Sequence, residues 1–429
     1  MITFFRKFTF PLFRPLYILL LLISFGFIYS YFYPIPTDIE NLSVGISSKL
    51  LDIGDRSFYM PYGPNFTNNF DVSEYGNGNV KPSFLYPFIL QILGKLTGNI
   101  IDGGEGSKLW NFSVMLMTSI LSILNLFLIE KIAFNVFGEK ISKISSWIYT
   151  IFPYTIFYSL NGGITMYMMF GNCLLGYVVT NSCLFSNKKN SFGYLQTFLY
   201  LLLSTLYLSS LRPNGAIFSI IILISVLFIY LFRVKNKIIK FNKNIFYSSI
   251  FIFTISFLYC FTQLFATTEY IKFAQKVFIT QDGLFFGIDR NLIRERIFNN
   301  NNLILDFKKI FFYLAWKISE FVGGLSDIRD THSDMSSRSL FPFFSRVITG
   351  LFFIYPINIF ALLGITSFWQ KILNSGLFII IIASLVTLVP SFYGVAMSRY
   401  LIMVYPPFII CAASIINKIL TKHSLTSME

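Results

Sequence analysis

The chain has 429 residues, of which 55% are hydrophobic, 19% aromatic and only 13% charged, with a formal net charge of +14. A soluble globular domain averages about 25% charged residues, so this chain has roughly half the charge needed to cover a water-facing surface. The mean hydropathy of +0.64 excludes an ordinary soluble fold, and the basic residues form no aromatic-interleaved stripe of the kind that binds nucleic acid.

A hydrocarbon core about 30 Å thick takes about 20 apolar helical residues. On that measure the sequence predicts an all-α, polytopic transmembrane helix bundle of ten spans, a single membrane domain over residues 1–429. The first span, Leu16–Tyr33, lacks a small-residue cleavage site and runs into Pro34 and Pro36, so it reads as a retained span rather than a signal peptide. A long loop, 34–108, follows. Within it, Ile39, Leu42, Ile46, Leu50 and Ile53 recur at helical spacing. They predict a surface helix from Asp38 to Ile53, capped by Thr37 or Asp38. Phe84 to Leu96 predicts a second, short amphipathic or re-entrant helix.

Six spans come next: Leu109–Ile129, Ile144–Tyr158 (the shortest), Ile164–Phe185, Phe192–Leu211, Ala216–Phe232 and Ile245–Phe265. The second long loop, 266–346, contains an apolar-rich stretch from Leu303 to Leu325. Its Lys308, Lys309, Lys317 and Glu320 favour an interfacial helix over an eleventh span. Val347–Trp369, Leu373–Val395 and Tyr400–Ile416 complete the set.

Positive charge orients the bundle. With the N-terminus inside, the cytoplasmic segments hold sixteen of the 34 basic residues in short loops, among them Arg14, Lys131, Lys143, Arg233, Lys371 and Lys418. Only Glu130, Glu139 and Glu429 of the 20 acidic residues share that side. Both long loops then face outward, and an even number of spans returns the C-terminus to the cytoplasm. Loops of this length are where function concentrates.

Asp38 and Glu40 stand just outside the first span. A carboxylate at the mouth of a membrane cavity can accept a proton from a substrate hydroxyl; on composition alone, Asp38 reads first as an N-cap and Glu40 as a charge favoured near a helix N-terminus. Lys81, before Pro82 and the aromatic run Phe84-Leu85-Tyr86-Pro87, either meets a lipid phosphate or snorkels. Arg212-Pro213 and Arg399-Tyr400 each open a span from the outer side, and an arginine at that depth pairs, anchors the helix or contacts a phosphate. Asp327, Arg329, Asp330, His332 and Asp334 fall within eight residues. Oxygen ligation of a divalent metal is conceivable there, but a solvated polar loop is the simpler account.

The cysteines Cys173, Cys183, Cys260 and Cys411 lie in apolar runs without metal-type spacing and read as inert buried thiols. With two histidines, His332 and His423, a histidine-built metal site is not expected, and no cofactor is indicated. Walker, dinucleotide and nucleophile-elbow motifs are all missing.

The ordered set of Thr37-Asp38-Ile39-Glu40, Lys81-Pro82-Ser83-Phe84-Leu85-Tyr86-Pro87, Leu211-Arg212-Pro213 and Ser398-Arg399-Tyr400-Leu401 with Tyr405-Pro406 resembles the GT-C superfamily of membrane glycosyltransferases. The likeness is greatest to the bacterial branch of protein mannosyltransferases and lipid A aminoarabinose transferases. It implies a sugar donor on polyprenyl phosphate, inversion at the anomeric centre, and an acid at the start of the first outer loop as general base. Carried over, Asp38 is the base, with Glu40 second. Arg399, Lys81 and Arg212 are candidates for the donor phosphate, and Tyr86, Arg329 and Asp330 for substrate contact. Two features depart from the pattern: Ile39 separates the acids, and Val80-Lys81 stands where a histidine is common.

The sequence thus points to a polyprenyl-phosphate-sugar glycosyltransferase at the periplasmic face of a bacterial inner membrane. Its acceptor would be O-antigen or other lipopolysaccharide, another glycolipid or a protein, with surface polysaccharide favoured by an AT-rich codon bias. An O-antigen polymerase joining lipid-linked repeat units is the first alternative. A lipid-linked sugar flippase or transporter is the second; the lack of a convincing internal repeat and the few ionisable residues within the spans count against it.

Overall fold

The computed structural model describes residues 14–32, 35–36, 43–44, 85–97, 108–185, 191–236, 243–278, 350–393 and 398–426. Helix α1 is Pro15–Phe32, followed by a two-residue antiparallel pair in which β1 (Ile35–Pro36) meets β2 (Ser43–Val44). Then come α2 (Leu85–Leu96), α3 (Lys108–Phe137), α4 (Glu139–Ile151), α5 (Pro153–Leu160), α6 (Ile164–Thr180), α7 (Tyr194–Ser209), α8 (Pro213–Lys235) and α9 (Lys243–Phe278). A π-helical turn, Gly350–Ile354, leads into α10 (Tyr355–Ser367), followed by α11 (Trp369–Asn374), α12 (Leu377–Tyr393) and α13 (Ser398–Thr426).

Six of the described helices are long and apolar enough to cross a bilayer, or seven if the bent pair α5–α6 counts as one passage. The chain is a multi-pass membrane protein, mostly helical as the composition requires. Two expectations need correction. Ile144–Tyr158 is not one continuous helix but parts of α4 and α5, divided at Phe152. Pro153 has no N–H to continue a helix and holds the preceding residue extended, and Phe152 sits at φ −69, ψ 118. Ser43 and Val44, expected within a surface helix, form β2 instead; the remainder of 37–53 lies outside the described residues, as does Leu303–Leu325.

The centre of the bundle is built on α6 and α13. Helix α6 packs against α3, α7, α8 and α13, while α13 also packs against α4, α10 and α12. The α10–α13 crossing is close because Gly364 lies against the Cys411 carbonyl, where a Cβ would overlap backbone. Along α3, Thr118, Ser119, Ser122 and Asn125 form one buried polar face. Ser122 and Tyr149 share a 3.1 Å hydroxyl bond across to α4, and Asn125 donates to the Met166 sulfur of α6 at 3.8 Å. Small and polar side chains hold helices together where the surrounding solvent is as apolar as the helix surface.

These contacts also sort the connections by end. Glu130 faces Lys131, Lys143 and Arg14; Phe137 meets Phe368; and Asn135 bonds Asn181. All belong to one end of the bundle. The segments around Tyr86, Gly162 and Arg212 gather at the other. An alternating series of passages requires this grouping.

Candidate functional site

The turn between α5 and α6 is built by Asn161-Gly162-Gly163. Gly162 has φ +68, a left-handed conformation that glycine enters without a Cβ clash. The Asn161 side chain accepts from the Gly163 N–H at 2.9 Å. That N–H would otherwise extend the helix to the Ser159 carbonyl, four residues back. Ser159 is capped instead from α3, by the hydroxyls of Thr118 at 2.8 Å and Ser119 at 2.9 Å. The chain can therefore bend by 117° between the two helices without leaving that carbonyl bare.

Helix α2, from the first long loop, docks into this bend. The Tyr86 hydroxyl donates to the Gly162 carbonyl at 2.8 Å, and the Tyr86 ring meets Tyr167 edge-on at 5.3 Å. Tyr86 is buried. One residue earlier, the Leu85 N–H donates to the Ser210 carbonyl at 3.0 Å, which satisfies the first donor of α2 with the corner between α7 and α8. The same Ser210 is tied through its hydroxyl to Tyr259 of α9. Tyr207, one turn before the corner, donates to the Tyr167 carbonyl at 3.3 Å.

Arg212 closes the corner. As the residue before Pro213 it is extended, at φ −158 and ψ 153, and it is the N-cap of α8. Its carbonyl accepts from Gly215 at 2.9 Å and Ala216 at 3.3 Å. The turn is tight because Gly215 lies against the Leu208 carbonyl, where a Cβ would overlap the backbone. The guanidinium is half-buried, with Nη1 shielded from solvent. Its charge adds to the positive end of the α8 dipole, so the corner favours an anion.

This floor is recessed. Helix α3 runs on past the level of Thr118 for another ten residues, about 15 Å at 1.5 Å per residue. Helix α9 continues from Tyr259 for nineteen residues, about 28 Å. Inward of the floor, a narrow crevice between α6, α8, α12 and α13 is lined by Met168, Asn172, Asn214, Phe218, Thr387 and Val404. Asn214 stands two residues beyond Arg212, and Val404 five beyond Arg399.

Of the residues singled out in the sequence, Tyr86 and Arg212 are brought to one floor. Arg399 is the second residue of α13, and its side chain is not among those described. Asp38, Glu40, Lys81, Arg329 and Asp330 lie outside the described residues. Sequence reasoning missed Gly162 and Ser210, whose carbonyls receive α2. The Asn-Gly-Gly triplet carried a turn signal that could have found the first; nothing local marks Ser210. No three His, Cys, Asp or Glu side chains gather to hold a metal ion among the described residues.

No family model matches this chain, and neither does any curated protein. Solved structures do. The oligosaccharyltransferase of Archaeoglobus fulgidus in complex with Zn and sulfate superposes with a TM-score of 0.50 at 13% identity, over 95% of this chain and 49% of that one. The same organism's enzyme AglB, with an inhibitory peptide and a dolichol-phosphate, gives 0.47 at 13% identity, over 96% of this chain and 51% of that one. The form tethered to an acceptor peptide containing the NVT sequon gives 0.48 at 11%, again over 96% and 51%. The chain spans about half the length of these relatives. At this identity the likeness is one of fold alone: the bundle shares its fold with the matched half of that oligosaccharyltransferase.

Proposed function

We propose that this chain is a membrane glycosyltransferase that moves a sugar from a polyprenyl-phosphate donor to an acceptor at the outer face of a bacterial inner membrane. Asp38, or Glu40 beside it, takes the acceptor's proton as the new glycosidic bond forms with inversion. Arg212, Arg399 and Lys81 steady the negative charge that develops on the leaving phosphate. Such charge is stabilised most strongly where water is excluded. Tyr86 anchors the floor of the substrate cavity from beneath, and Arg329 and Asp330 meet the acceptor from the second loop. The acceptor class is surface polysaccharide, O-antigen or lipopolysaccharide. The basic end of the bundle, with both termini, faces the cytoplasm by the positive-inside rule.

One observation carries this reading: α2 is bonded at once to the α5–α6 bend and to the Arg212 corner. Lys81 precedes Leu85 by only four residues in the sequence, which supports a role for it beside that corner. In the sequence, Asp38 and Glu40 fall between β1 and β2, directly after α1. The shared fold supports the same reading. An insoluble donor keeps its tail in lipid while its sugar reaches water, and a recessed floor inside a helical wall suits that division.

The test is transfer by the purified protein from a polyprenyl-phosphate sugar to candidate acceptors. Asp38→Asn is expected to abolish product while donor binding persists. Full activity in both Asp38→Asn and Glu40→Gln would remove the general base. Donor movement across vesicles without any transfer would make the protein a flippase.

A further inference from the structure

The opposite end of the bundle carries a second arrangement that the transfer reaction does not use. Phe137, at the end of α3, and Phe368, between α10 and α11, meet edge to face with centroids 5.7 Å apart. Lys371 of α11 stands over the Phe137 ring at 5.4 Å, and Lys418 of α13 over the Phe368 ring at 5.9 Å. Three separate parts of the chain thus bring two ammonium groups onto one aromatic base. We propose that this base is a binding site for the headgroup of an anionic phospholipid, its phosphate held between Lys371 and Lys418.

A ring face engages one side of an ammonium and leaves donors free on the other. Both lysines are exposed, and neither pairs with a carboxylate among the described residues. Acid is scarce here: Glu139 is taken by Lys143 at 2.7 Å, and Glu130 already faces Lys131, Lys143 and Arg14. Neither cation is therefore neutralised by a carboxylate among the described residues.

The depth matches a headgroup. Trp369, adjoining Phe368, is 49% exposed, and tryptophan at a span end settles at the membrane–water boundary. Ile419 and Leu420, directly after Lys418, are exposed as well and supply an acyl-chain surface beside the charges. That apolar flank distinguishes a lipid from a soluble phosphate. The lysines distinguish an anionic lipid from a zwitterionic one, whose own cation they repel.

The site is independent of the glycosyltransferase reading and is tested without a transfer assay. Protein in mixed micelles of phosphatidylglycerol and phosphatidylcholine with identical acyl chains is examined by native mass spectrometry for retained lipid. Wild type is expected to keep phosphatidylglycerol in preference by about fivefold or more for each contributing lysine. Lys140→Gln, which removes an exposed lysine elsewhere on this end, should keep that preference. The double variant Lys371→Gln/Lys418→Gln should fall to near parity. Parity in wild type, or an undiminished preference in the double variant, overturns the site. Displacement of phosphatidylglycerol by an equal concentration of soluble glycerol phosphate overturns the lipid as its occupant.

Discussion

Replacing Tyr86 by phenylalanine removes one oxygen and keeps the ring. The edge-on contact with Tyr167 survives, but the Gly162 carbonyl loses its 2.8 Å donor. Leaving a buried acceptor unsatisfied costs about 1–3 kcal/mol. That penalty falls on the docked state of α2 alone, because an undocked α2 exposes the carbonyl to other donors. At a factor of ten per 1.4 kcal/mol, the undocked population should rise about 5- to 150-fold. Hydrogen exchange reads this directly, since amides protected only by local docking exchange in proportion to its opening. Peptides covering 85–97 should therefore exchange faster by that factor, while those from α10 and α13 keep wild-type rates. Tyr86→Ala, which also removes the buried ring, should exceed it. If Tyr86→Phe leaves exchange across 85–97 unchanged, α2 is held by something other than the bend, and the floor described here is not its anchor. If the transfer reaction is the correct reading, the same variant lowers turnover through looser placement of Lys81.

Gly215→Ala should force the α7–α8 corner apart at Leu208 and displace Arg212, so transfer should drop well below wild type while the thermal midpoint in detergent moves less; equal losses would make Gly215 merely structural. Gly364→Ala introduces a Cβ against the Cys411 carbonyl at the α10–α13 crossing, and such overpacking costs about 1–3 kcal/mol, seen as a lower melting temperature with no change in substrate affinity. Arg399→Ala should raise the donor KM or lower kcat, and an unchanged kinetic profile would reduce that arginine to a membrane anchor. Glu139→Gln should leave thermal stability unaltered, because the Glu139–Lys143 pair is exposed to solvent; a clear loss would show that pair to hold the α3–α4 turn.

Helices whose limits rest on local chemistry were the most legible. Pro213 begins α8 because proline suits a first helical turn and holds Arg212 extended before it, and both features stand in the sequence. The helix expected at Phe84 to Leu96 is found at Leu85–Leu96, where apolar periodicity marks it. Across Ile144–Tyr158 the apolar length said nothing of a break, yet Pro153, inside it, ends one helix and opens another. Ser43 and Val44 misled for a different reason. The helical spacing of Leu42 and Ile46 on either side of them is a local signal, and at Ser43 and Val44 pairing with Ile35 and Pro36 overrides it.

What the sequence determined by itself is the solvent: runs of apolar residues near membrane thickness, with cations sorted to alternate connections, admit only a multi-pass bundle and order its ends. Which connections meet was decided by the tertiary structure. The Tyr86 hydroxyl reaches a carbonyl 76 positions away, and Lys371 and Lys418 reach rings on other segments. Hydropathy and spacing report each residue's preference for lipid, water or turn. They carry no information on its partner, which is selected only when a bend such as Asn161-Gly162-Gly163 leaves a carbonyl bare and a packed neighbour supplies the donor.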